Sequence, residues 1–194
     1  MMAPDWAGEN LWHQTAAIWP VGVPCSLTWY DIGAILHVIQ TARITLVVEI
    51  GVDQGGLAAL LLAYQGYAKQ QYGHPPMGGY LGVEINTNTI CTTVLNPFRA
   101  QFFEGDAWAQ STVERVRLAV DRSERVLIFC DGGDKPRDMR TYAPILRPGD
   151  VLMAHDYHNE YDDAALVGLP DDLERQHPSW LDQTLCCLFV KRDA

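Results

Sequence analysis

The sequence predicts an α/β fold, a mostly parallel sheet with helices on both faces. Short apolar runs at residues 46–50, 80–85, 125–130 and 151–154 alternate with stretches of helical periodicity, the pattern of β-α-β units. The runs are apolar almost without interruption, as strands covered on both faces are. Each ends in glycines or acids, where open parallel sheets bind their ligands.

Taken in order, residues 1–25 hold Trp6, Trp12 and Trp19 among prolines and glycines without periodicity. They read as an N-terminal extension, whether leader, lid or oligomer contact, ahead of a single domain at 26–194. A helix is expected over 26–41, with His37 on its surface, and a first strand over 46–50. Gly51 and Gly55-Gly56 form a sharp turn into a helix marked by Leu57, Leu60, Leu61 and Tyr64, which runs to about Tyr72. Residues 73–79, GHPPMGG, must be a loop. The second strand covers 80–85, and a short helix over 87–95 is expected to stop at Asn96-Pro97. A third strand falls near 99–103. Ser111 to Glu114 has capping-box form, predicting a helix to about Arg122.

The strand at 125–130 leads to Asp131-Gly132-Gly133-Asp134, and Pro136 suits the first turn of the following helix. Residues 147–150 turn the chain into the strand at 151–154, which ends in His155-Asp156-Tyr157. An acid-rich helix is expected from 161 to about 176, and a last strand over 184–192.

The composition bounds the partners. The 194 residues suit one domain, with 48% hydrophobic and 20% charged residues. Fourteen basic against 24 acidic residues give a net charge of −10, which argues against a nucleic-acid backbone as partner. Five cysteines, two of them adjacent at Cys186-Cys187, suit reduced buried thiols better than a disulfide framework or a zinc site. No signal-peptide pattern or membrane-length apolar stretch is present, so a cytoplasmic location with no membrane partner is expected. A homo-oligomer is left open.

The strand ends carry the chemistry. The spacing Gly51-x-x-x-Gly55-Gly56 departs from the dinucleotide fingerprint Gly-x-Gly-x-x-Gly. It still lets backbone approach a ligand at a helix N-terminus. Glu49 precedes it, as an acceptor of hydrogen bonds. Glu84, near the end of the second strand and followed by Ile85, is placed to accept both hydroxyls of a ribose. Glu104-Gly105-Asp106-Ala107 closes the third. Three such ends in series suggest a nucleoside-like ligand lying across them. At these residues the chain resembles the class I S-adenosylmethionine-dependent methyltransferases. The resemblance implies a Rossmann-like fold with an antiparallel C-terminal strand. Glu49, Gly51 and Gly55 would then wrap the methionine part of the cofactor, Glu84 and Ile85 would border the ribose, and Gly105, Asp106 and Ala107 the adenine.

Two further stretches, CDGGD and AHDYH, end adjacent strands, so Asp131 and Asp156 should face one crevice. With His155 they form a candidate ligand set for Mg2+ or another divalent cation, able to lower the pKa of a substrate hydroxyl. The imidazole makes manganese, iron or zinc as suitable as magnesium. As plain alternatives, Asp131 and Asp156 are helix caps or loop acids; Lys135 orients a substrate or meets solvent, and His158 is a solvated loop residue or a base. Residues 131–157 resemble the metal-dependent O-methyltransferases, nearest to the cephalosporin-hydroxylase-like and antibiotic-sugar O-methyltransferase group. The family's acid pair after the fifth strand maps to His155-Asp156, a departure that replaces one carboxylate by imidazole. The resemblance implies methyl transfer from S-adenosylmethionine to a hydroxyl of a small-molecule acceptor, Asp131 also touching the cofactor. Asp131 and His155 are the candidate catalytic residues, with or without a metal. The alternative is a diverged member of the fold, cofactor-binding or hydroxylase-like, without methyl transfer.

Overall fold

The computed structural model describes residues 23–72 and 77–193; the Trp6, Trp12 and Trp19 segment and most of the loop expected at 73–79 lie outside them. The chain runs α1 (Trp29–Thr41), β1 (Leu46–Ile50), α2 (Gly56–Tyr72), β2 (Gly79–Glu84), α3 (Thr92–Phe98) and β3 (Phe102–Glu104). It continues through α4 (Gln110–Asp121), β4 (Val126–Cys130), α5 (Lys135–Tyr142), β5 (Val151–Ala154), β6 (Leu173–Gln176) and β7 (Cys187–Lys191).

Seven strands form one sheet in the order β3-β2-β1-β4-β5-β7-β6. β1 to β5 are parallel, while β7 runs antiparallel to both β5 and β6. This is the expected Rossmann-like α/β fold. Strand order reverses between β1 and β4, and the crevice beyond their carboxyl ends is where such sheets take ligands.

The apolar runs become central strands because both faces are covered. Every residue of β1, β4 and β5 is buried. Alternate side chains feed two cores. Val47, Leu127, Phe129 and Met153 pack with α1 and α2 on one face. Val48, Ile50, Ile128 and Leu152 pack with α4 and α5 on the other. Glu49 belongs to the first face, which explains its burial.

Local chemistry shifts several expected boundaries. α1 begins at Trp29, because Thr28 caps it. The Asp31 N–H donates to Thr28 Oγ1 at 3.2 Å, and the Asp31 carboxylate accepts the Thr28 N–H at 2.8 Å. Val23 and Cys25, ahead of α1, are buried in the first core. Ser111 does not cap α4, which starts at Gln110 after Ala109, with Thr112 buried within its first turn. Pro97 lies inside α3, and Arg99–Gln101 forms a 3-10 turn that delays β3 to Phe102.

The largest correction falls on the acid-rich stretch 161–176. It holds a 3-10 turn at Asp163–Leu166, capped by Asp162, and then strand β6. Gly168, at φ +91°, and Pro170 interrupt any helix there, and edge pairing with β7 draws the following residues into the sheet. No helix among the described residues is long and apolar enough to cross a membrane.

Candidate active site

Two cavities open at the carboxyl ends of the strands. The loops after β1 and β4 touch there, and the contact requires glycine at position 51. Gly51 stands at φ +84°, and a Cβ on it would lie 2.6 Å from Gly132 Cα. A Cβ on Gly132 would in turn lie 2.5 Å from Asp138 Oδ2.

The first cavity, of about 320 Å³, is lined by the ends of β1, β2 and β3. Gly51, Glu84, Ile85, Gly105, Asp106 and Ala107 all border it, with Trp108, Asp131 and Asp138. Glu84 Oε2 accepts the backbone N–H groups of Val52 and Asp53, each at 3.0 Å, and Oε1 accepts that of Asn86 at 3.2 Å. Its carboxylate thus braces the turn after β1 while facing the cavity. Asp106 Oδ1 accepts the Trp108 N–H at 2.9 Å. Tyr142 donates to the Ala107 carbonyl at 2.6 Å, tying this loop to α5. A cavity bordered by a glycine turn, two acids and an indole offers groups suited to the methionine, ribose and adenine parts of S-adenosylmethionine.

The second cavity, of about 310 Å³, lies between the β1 turn, residues 24–27 and the ends of β4 and β5. Its polar centre is His155, 4% exposed. His155 Nδ1 stands 3.3 Å from Asp131 Oδ1 and 3.4 Å from Asp156 Oδ2, and Nε2 stands 3.4 Å from Asp31 Oδ2. These separations are long for hydrogen bonds and are ion-pair contacts. Burial opposes charge on the ring, but Asp131 and Asp31 outweigh it and push the imidazolium up to about 10. Burial raises Asp131 above the usual carboxylate range, with His155 pulling the other way. Asp156 (φ +59°) and His158 (φ +69°) adopt left-handed backbone that non-glycine residues rarely take. The tight turn they form brings Glu160 back, so that Lys135 Nζ sits 2.7 Å from both Asp156 Oδ2 and Glu160 Oε2.

Ligand atoms of Asp131, His155 and Asp156 all lie within 4.8 Å of one another. Bonds of about 2.0–2.4 Å to one ion are compatible with that spread. The donor set fits a divalent cation, with Lys135 moving from Asp156 onto Glu160.

Most of the expected site residues converge here, but two stand apart. Glu49 is 2% exposed, accepts the Tyr80 hydroxyl, and borders the second cavity instead of the first. Burial holds its carboxyl well above the ordinary range. Gly55 borders neither cavity; its φ of +86° shapes the turn, and a Cβ there would meet Ile90 at 3.1 Å. Four residues escaped the sequence reading. Asp31 was legible as the end of a Thr-x-x-Asp box, though not as a partner of His155. Glu160, Trp108 and Asp138 carried no signal beyond residue type.

The matching family model is the rhamnosyl O-methyltransferase/CmcI family, over residues 12–178. No curated protein sequence is significantly similar to the chain. Among solved structures, CmcI-N160 in its apo form is 16% identical with a TM-score of 0.65, covering 99% of this chain and 82% of its own. A putative caffeoyl-CoA O-methyltransferase from Staphylococcus aureus is 15% identical with a TM-score of 0.59, covering 87% and 86%. The methyltransferase MycE, described in complex with Mg, SAH and mycinamycin VI, is 15% identical with a TM-score of 0.54, covering 86% of this chain and 50% of its own. At such identities these structures speak for the fold, and the family match speaks for the activity. The chain belongs to the rhamnosyl O-methyltransferase/CmcI family and is a class I S-adenosylmethionine-dependent methyltransferase.

Proposed function

We propose that this methyltransferase acts on a hydroxyl of a small neutral polyol, with a divalent cation held by Asp131, His155 and Asp156. One observation carries the reading: Asp131 lines both cavities. A methyl group leaving the first cavity therefore emerges beside the cluster in the second. MycE, in complex with Mg, SAH and mycinamycin VI, supports this division of labour.

S-adenosylmethionine, when bound, supplies an electrophilic methyl carbon. Gly51 leaves room for its methionine part, Glu84 takes the ribose hydroxyls, and Asp106 the adenine amine. The ion, when bound, lowers the pKa of an acceptor hydroxyl. The remaining work is positioning by the chain itself. Asp131 would hold the hydroxyl at the junction of the cavities and accept its proton as the methyl carbon passes from the sulfonium sulfur to the oxygen, leaving the neutral thioether. Glu49, Asp53, Asp156 and Glu160 surround the acceptor space with hydrogen-bond acceptors, while Lys135 is already shared by two carboxylates. That lining favours neutral hydroxyl-rich acceptors over anionic ones.

Titration calorimetry with S-adenosylhomocysteine, followed by transfer assays from labelled S-adenosylmethionine to sugars and macrolide polyols with Mg2+ or Mn2+, tests the reading. Cofactor binding with no transfer to any acceptor would favour a cofactor-binding module without catalysis.

A further inference from the structure

We infer that the cluster is built for a transition ion of the Mn2+, Fe2+ and Zn2+ class in preference to Mg2+, and that Asp31 is the residue that makes it so. This rests on the reading of Asp131, His155 and Asp156 as an ion site.

Asp31 is fully buried at the N-terminus of α1. Its carboxylate is anchored independently of His155. It accepts the Thr28 N–H at 2.8 Å, the Thr28 hydroxyl at 2.5 Å and the Leu185 N–H at 2.9 Å. From that fixed position Oδ2 faces His155 Nε2, which has no hydrogen-bond partner among the described residues. The imidazole is therefore set with Nε2 toward α1 and Nδ1 toward Asp131 and Asp156. Ion binding at Nδ1 releases the proton of that nitrogen to solvent, and the Asp31 carboxylate facing Nε2 then keeps the remaining proton on the distal nitrogen and makes the ring a better donor. The resulting set of one nitrogen and two oxygens suits Mn2+, Fe2+ or Zn2+, whereas Mg2+ favours oxygen ligands and retained waters.

Lys135 adds a second selection. Its ammonium occupies Asp156 Oδ2 at 2.7 Å, and an incoming ion must displace it toward Glu160. A tightly bound ion overcomes that competition more readily than a weakly held one.

The test compares Mn2+, Zn2+ and Mg2+ binding to the full chain saturated with S-adenosylhomocysteine, by calorimetry and by Mn2+ electron paramagnetic resonance. The wild type is expected to bind Mn2+ and Zn2+ at least about tenfold more tightly than Mg2+. His155→Glu, which restores an acid pair, should reduce that ratio several-fold. Asp31→Asn should weaken Mn2+ by about 10–100-fold with cofactor-product affinity unchanged. Equal binding of Mg2+ and Mn2+ by the wild type, or an undiminished ratio in His155→Glu, overturns the inference even if methyl transfer is intact. Binding of none of the ions removes the ion site itself, while loss of S-adenosylhomocysteine binding would strike the methyltransferase reading instead.

Discussion

The indole Nε1 of Trp108 donates to Oδ1 of Asp138 at 2.7 Å, joining the loop after β3 to α5 along one wall of the cofactor cavity. The Arg137 guanidinium covers the outer face of the same indole, 3.7 Å from the ring centroid. Asp138 is 1% exposed, and its Oδ2 has no hydrogen-bond partner among the described residues. Burial pushes its carboxyl up to about 6, with Trp108 pulling the other way.

That shift sets a pH dependence. The folded pKa lies above the unfolded value, so this contribution to stability is fully present below the unfolded pKa of 3.8 and lost as pH rises through about 6. Asp138→Asn keeps an oxygen for Trp108 and cannot ionise. Relative to wild type, its unfolding free energy should rise by about 2 kcal/mol between roughly pH 4.5 and pH 7.5. Denaturant melts at the two pH values measure this, and a constant difference would show that Asp138 is not the group responsible.

Glu84 carries two loads, and two variants separate them. Glu84→Ala should lose about 1–3 kcal/mol of stability, because Val52, Asp53 and Asn86 lose their acceptor. Glu84→Gln keeps an oxygen for the turn but gives up the charge offered to a ribose. Both should raise the S-adenosylhomocysteine dissociation constant by about tenfold or more. Unchanged affinity in the glutamine variant would remove Glu84 from the cofactor site.

Asp106 is exposed, and its carboxylate accepts the Trp108 N–H. Asp106→Ala should therefore weaken S-adenosylhomocysteine binding while the melting temperature of the unliganded protein changes little. A large drop in that melting temperature would mark Asp106 as a turn residue instead.

Asp131→Asn should nearly abolish transfer, by about 10²–10⁴-fold, and weaken divalent-ion binding. The loss should appear chiefly in kcat, because the amide still fills the wall shared by the two cavities. A kcat within twofold of wild type would rule out Asp131 as the group that takes the proton.

Much of this architecture is legible in the chain. Uninterrupted runs such as Val126–Cys130 can hardly be anything but central strands, and their ends point to one crevice. Asp131 and Asp156 meet because β4 and β5 are neighbours in the sheet. The acid-rich stretch 161–176 misleads, because β6 owes its strand form to pairing with β7 at the sheet edge. Local composition holds no record of that partner.

By itself the sequence determined the alternation of strands and helices, the glycine turn after β1 and the acids that close the strands. Those features follow from burial periodicity and from backbone angles only glycine reaches easily, and both act over a few residues. The tertiary structure alone decided that Asp31 stands behind His155, that Lys135 is shared by Asp156 and Glu160, and that Trp108 reaches Asp138. Each of these contacts joins elements far apart in the chain. Helix packing against the sheet sets their distances, and no period or spacing in the residues encodes them.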